Sequence, residues 1–234
     1  MKYQIHVDTA VNQTIKPTGD SFSCTVLLAQ KHRRLRSVAL KNAQIPVGFY
    51  NVRAPYNTIT INGVGYTMPP GNYTGVQFLN ALNSTVTAAV GTFSIAAANN
   101  LYTFVPASGS ATITTNVPPA VPALGNFLGF SNGVTGTYIT ATNSYITSFD
   151  TYLYIWIQNL ATSSQETTRC TFKVPVTGGI IQWADNSQNE CIVPVTDSSA
   201  MVDRLIISVV DRFGNLLNNN GIDWSMTLEV DADT

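Results

Sequence analysis

The chain has 234 residues, of which 44% are hydrophobic and only 11% charged, against a usual charged share of about 25%. That much apolar content with a net charge of −1 excludes a disordered chain, and the scarcity of charge excludes a coiled coil. No apolar run approaches the ~18 residues of a membrane span, and Met1–Gln13 lacks the apolar stretch of a secretory signal.

The elements read as β almost throughout. Residues 21–30 and 35–45 are two strand candidates joined by a short basic turn. Asn57–Met68 reads as a hairpin, because Asn62-Gly63 occupies the turn position that favours positive φ. Pro69-Pro70-Gly71 then stops the strand. A helix is predicted next, with Thr74 as its cap and Val76, Leu79, Leu82 and Val86 as its apolar positions. Gly91 stands where a C-terminal glycine belongs.

Residues 92–147 give short Thr/Ser/Ala/Asn strands broken by Pro and Gly, with a Pro-rich turn at Val117–Pro122. Stronger strands follow at Tyr152–Leu160, Thr168–Thr177, Gly179–Trp183, Glu190–Val195, Arg204–Val210 and Trp224–Val230. In the last of these, Trp224, Met226, Leu228 and Val230 alternate with Ser225, Thr227 and Glu229, the signature of a half-buried strand. Many short strands with one short helix and no repeat indicate an all-β domain, a jelly-roll β-sandwich with an inserted β-rich segment.

Catalytic chemistry finds little support. His6 and His32 are too few and too far apart for a metal cluster of the cupin sort, and no G-x-S-x-G occurs. Asp150, Glu166, Asp185, Glu190 and Asp197 lie on separate loops, where surface acids are the ordinary reading. Asp211–Asp223 lacks the alternating carboxylates of a Ca²⁺ loop and reads as a long turn. Cys24, Cys170 and Cys191 each sit in a β-like apolar run without CxxC spacing. Three buried free thiols and no zinc site are therefore expected, as in a reducing compartment. No catalytic role, cofactor or metal is expected.

Charge is unevenly placed. Residues 1–117 carry eight basic and two acidic side chains, and residues 118–234 carry four basic and eleven acidic. Five of the twelve basic residues fall between Lys31 and Lys41. Without interleaved aromatics this cluster does not read as a nucleic-acid site. A weakly charged surface favours association, so Lys31, Arg33, Arg34 and Arg36 are candidate subunit contacts, with Asp211 and Asp223 of a neighbouring copy opposite them. If residues 21–30 form the first strand of the roll and pair with Trp224–Val230, the basic and acidic turns share one end.

Four blocks carry a family resemblance. They are Val38–Pro46 with Phe49–Val52; Pro70–Thr74 leading into Phe78–Asn83; Gly125–Phe130; and Asp211–Asn215 through Gly221–Leu228. In that order they resemble the penton (vertex) and minor capsid proteins of virophages and related double-jelly-roll DNA viruses. The resemblance implies a single jelly roll over residues 21–234, forming homopentamers at icosahedral fivefold vertices and meeting the major capsid protein of the same virus. It also implies a virion location, assembly in the host cytoplasm and an insertion at about 50–147 able to meet a host surface receptor; residues 1–20 match nothing specific and are expected to form an N-terminal arm. A viral fibre or lectin-like receptor-binding domain is the alternative.

Overall fold

Residues 2–8, Lys-Tyr-Gln-Ile-His-Val-Asp, alternate polar and apolar side chains, the period of a strand with one buried face. The computed structural model describes residues 1–11, 14–15, 22–32, 35–96, 98–116, 123–146, 150–162, 171–176, 179–184, 191–197 and 201–233. In it these residues are strand β1 (Lys2–Asp8), with Tyr3, Ile5 and Val7 against the core. The segment expected to be a free arm therefore supplies the first strand of the roll. Its four polar side chains mask that role in a composition count, but its alternation does not.

The chain continues through β2 (Thr14–Ile15), β3 (Ser23–His32) and β4 (Leu35–Pro46). Between Tyr50 and Phe149 lies a separate compact unit. It holds β5 (Thr58–Ile61), β6 (Val64–Thr67), α1 (Gly75–Val86), β7 (Gly91–Ala96), β8 (Leu101–Pro106), β9 (Ala111–Thr114), α2 (Leu124–Phe127), β10 (Val134–Gly136) and β11 (Ile139–Thr140). The first unit then resumes with β12 (Tyr152–Ile157), β13 (Ala161–Thr162), β14 (Phe172–Pro175), β15 (Ile180–Ala184), β16 (Cys191–Asp197), β17 (Val202–Val210) and β18 (Ser225–Ala232).

The first unit, Met1–Phe49 with Asp150–Thr234, is two antiparallel sheets. One runs β1-β18-β4-β16-β13 with β15 also paired to β4, and the other runs β14-β12-β17-β3-β2. Take β1, β3, β4, β12, β14, β15 with β16, β17 and β18 as strands one to eight. The sheets then read 1-8-3-6 and 5-4-7-2, the double Greek key of a jelly roll. Side chains from both inner faces fill the space between, among them Cys24, Val38, Leu40, Ile45, Leu153, Ile155, Leu205, Ile207, Leu228 and Val230. Phe22 meets Trp224 edge-on at 6.2 Å. Met226, Leu228 and Val230 are buried as their alternation predicts.

Pairing departs from the sequence expectation at one point. β18 lies between β1 and β4, whereas β3 pairs with β17. The strand at residues 21–30 is therefore the second of the roll, and the last strand has a different neighbour.

Cys24 is fully buried; the side chains of Cys170 and Cys191 lie outside the described residues. Thiol alkylation of the native protein is expected to leave Cys24 unmodified. After denaturation without reductant, intact mass should show three alkylated cysteines. A mass two hydrogens short of three free thiols would reveal a disulfide and overturn the expectation.

The Tyr50–Phe149 unit is built from the four-stranded sheet β10-β9-β5-β6 and the three-stranded sheet β11-β8-β7. Asn62 and Gly63 take φ of 52° and 78° in the β5–β6 turn, the geometry the Asn-Gly pair predicts. At the start of α1, Gln77 Oε1 accepts from the backbone N–H of Thr74 at 3.1 Å. The buried face of α1 is Phe78, Leu82 and Val86, spaced i, i+4, i+8, while Val76 is exposed. The expected stripe thus shares Leu82 and Val86 with the real one and errs at its N-terminal end, where Phe78 and not Val76 faces the core. Asn83 ties the helix to β7, accepting from Phe93 N–H at 2.7 Å and donating to Phe93 O at 3.0 Å. Gly91 does not cap the helix, since the left-handed residue there is Thr87. Gly91 begins β7, where a Cβ would stand 2.6 Å from the Val105 carbonyl oxygen. Only a glycine admits that approach.

Candidate assembly surface

The antiparallel registers set where the charged turns lie. Leu35 opposes Ala232 and Gln44 opposes Ser225 in the first sheet. His32 opposes Val202 and Ser23 opposes Ser208 in the second. The Lys31–Arg36 turn is therefore at the end of the roll that holds Val202 and Ala232. Asp211 and Asp223 follow β17 and precede β18 at the other end. The length of β17 separates the two turns by about 30 Å. The expectation that they share an end is overturned, because it rested on pairing β18 with residues 21–30.

The two described basic residues of the turn have local company. Arg36 forms an ion pair with Asp233 of its own chain. Lys31 lies near Asp203, and the Arg204 guanidinium, bonded to Asp203 at 2.9 Å, holds that carboxyl below the usual range, with Lys31 acting in the same direction. Lys41 and Lys2 both reach Glu229, at 4.0 and 3.5 Å. Acids of β18 and of the C-terminal residues thus pair with bases of their own chain. Arg33 and Arg34 lie outside the described residues.

Asp211 is fully buried. Its Oδ1 accepts from the N–H groups of Phe213 and Asn215, at 2.8 and 2.9 Å, and the Asn215 side chain donates to Oδ2 at 3.2 Å. This is an Asx-type turn, in which the carboxylate replaces a strand partner. Asp211 is a turn-forming residue and not a surface contact. Asp223 is exposed, with the Thr9 hydroxyl 3.0 Å from its Oδ1.

The outer faces of the two sheets differ in kind. On the first, Lys2, Gln4, His6 and Asp8 of β1 lie beside Glu229 and Asp231 of β18. Shallow depressions of about 190 and 330 Å³ lie there, lined by Asp8, Asn42, Gln44, Gln182, Asp223 and Ser225 among others. Their amides and carboxylates suit hydrogen bonding and supply no nucleophile with a base beside it. Both histidines serve the scaffold: His6 Nδ1 is 3.1 Å from Thr227 Oγ1, and His32 Nε2 is 2.6 Å from the Tyr3 hydroxyl. Among the described residues, no group of three or more His, Cys, Asp or Glu is placed to hold a metal ion.

On the second sheet the outward positions are Tyr152, Tyr154 and Trp156 of β12, Lys173 of β14, Arg204, Ile206 and Ser208 of β17, and Thr25 and Leu27 of β3; of these Tyr154 and Ser208 are buried. Leu27 is 59% exposed. Lys173 stands 4.0 Å over the Tyr152 ring. A sheet that faces water ordinarily presents polar side chains outward; this one mixes aromatics and aliphatics with Lys173, Arg204, Thr25 and Ser208. Their alternation was visible in the sequence, but which of the two faces lies outward was not.

No family model matches the chain, and no curated protein matches it. Among solved structures, the chain is similar to one described as the crystal structure of SeMet-labeled mavirus penton protein. The identity is 7%, all of each chain is covered, and the TM-score is 0.49. The jelly-roll assignment rests on the strand order, and that order stands without the comparison.

Proposed function

We propose that this chain is a structural capsid subunit, the penton, which forms homopentamers at the fivefold vertices of an icosahedral virion. The observation that carries this reading is the 1-8-3-6 and 5-4-7-2 strand order, with a separate unit inserted between the third and fourth strands. Jelly rolls serve as capsid proteins, as lectins and as cupins. A low-charge surface and an aromatic outer sheet favour the assembling role, since aromatic residues are enriched and charge depleted at the cores of interfaces. The four sequence blocks that resemble penton and minor capsid proteins point the same way. Partners are then other copies of the chain and the major capsid protein, the location is the virion after assembly in host cytoplasm, and the role is not catalytic.

In a ring of upright copies, points at equal height meet. Lys31 can therefore reach Asp223 of a neighbour only if the rolls lie head to tail. The side wall formed by Leu27, Trp156 and Ile206 is the contact we favour.

Native mass spectrometry and electron microscopy of the full chain test this reading. Rings of five are expected; a strictly monomeric or trimeric protein overturns it. Leu27→Glu is expected to weaken the ring without lowering the melting temperature. The pair Arg33→Glu/Arg34→Glu is expected to leave the ring intact at low and high salt alike. Dissociation by the arginine pair and not by Leu27→Glu would move the contact to the basic turn.

A further inference from the structure

We propose that the Tyr50–Phe149 unit binds a neutral glycan, with Tyr138 as the aromatic platform of the site. The argument starts from charge. Across this unit Arg53 is the only charged side chain. It is buried at 9% exposure, donates to the Tyr50 carbonyl at 3.0 Å and lies 5.4 Å over the Tyr56 ring. The surface of the unit therefore carries no charge at all among the described residues. A solvated domain normally spreads charges of both signs over its surface, for solubility. Here Thr, Ser, Asn and Gln take their place, and each can both donate and accept a hydrogen bond. Sugar hydroxyls have the same dual capacity. A neutral sugar gains nothing from a charged wall, which would have to be desolvated on contact.

Tyr138 gives this surface a centre. It is 64% exposed, unusual for so large a ring, and it sits on the short link between β10 and β11. Because β10 pairs with β9 and β11 with β8, that link is where the chain passes from the four-stranded sheet to the three-stranded one. At Gly136 a Cβ would lie 3.3 Å from the Tyr138 carbonyl oxygen, a close but not forbidden approach. Exposed threonines flank the ring on both sides, Thr135 and Thr137 before it and Thr140 after. Thr135 shares a 2.7 Å hydrogen bond with Thr112 of the neighbouring strand, and Ser131 a 3.0 Å bond with Thr142. An exposed aromatic ring on a segment rich in exposed hydroxyls offers apolar contact to a pyranose ring and hydrogen bonds to its edge. A partner of high charge, nucleic acid or anionic membrane, finds no complement here.

The inference does not depend on how many copies form a ring. It is tested with the full chain applied to immobilised neutral oligosaccharides (glucan, mannan and N-acetylglucosamine oligomers), beside sialylated and sulfated glycans as charged controls. Binding is expected to at least one neutral class, unchanged between low and high salt. Tyr138→Ala should weaken that binding about tenfold or more, and Tyr138→Phe should keep most of it. The melting temperature should hold in both variants, because so exposed a ring contributes little to the fold. Retention on charged glycans alone, binding lost at high salt, or full binding by Tyr138→Ala would overturn the proposal. So would failure to retain any neutral glycan, including the case in which the unit only associates with itself.

Discussion

Replacing Leu82 with alanine is expected to destabilise the Tyr50–Phe149 unit by about 2–5 kcal/mol, the range for a fully packed aliphatic side chain. Leu82 is 0% exposed at the centre of the buried face of α1, between Phe78 and Val86. The surroundings cannot close over the space, because aromatic rings fix the neighbouring core. Phe78 meets Tyr102 edge-on at 6.2 Å, and Phe93 stacks on Phe104 at 4.6 Å. Val76→Ala on the exposed side of the same helix is the control, with an expected change within about 0.5 kcal/mol. The chain holds two compact units, so the measurement is a denaturant or thermal melt that resolves separate transitions, since one midpoint need not report both. An unchanged transition for Leu82→Ala would show that the helix packs on another face.

Asp211→Ala is the second large effect, this time in the jelly roll. The substitution removes the acceptor for two backbone N–H groups, of Phe213 and Asn215, in a turn that excludes water from the carboxylate. Each stranded donor costs about 1–3 kcal/mol, so a loss of at least about 2 kcal/mol is expected. Asp211→Asn keeps an oxygen in the same place and should recover part of it. The readout is the roll's melting transition, with ring formation followed in the same samples. If Asp211 instead acted between subunits, Asp211→Ala would dissociate the ring and leave the melt of the isolated subunit unchanged.

What the amino-acid sequence determined by itself was whatever depends on neighbours a few residues apart. The period-2 alternation of β18, the positive φ at Asn62-Gly63 and the cap at Thr74 are local properties, and each appears in the structure where the residues put it. The uncharged stretch around Arg53 was equally legible, and it marks the inserted unit. The β-rich, low-charge character led to a jelly roll because few other architectures bury so many short strands.

What only the tertiary structure decided was everything that joins distant segments. Strand partners are chosen by pairing across the whole chain, and one wrong pairing moved the acidic turn from one end of the roll to the other. β1 went unassigned because its partner lies beyond any local window: Lys2 pairs with Asp231 of β18, 229 residues on. Burial separated Asp211 from Asp223, two acids of one turn that the sequence presents alike. The meeting of Arg36 with Asp233 needed β4 and β18 side by side. Charge is additive along a sequence, but whether a charged group faces a partner, water or its own backbone is settled by packing alone.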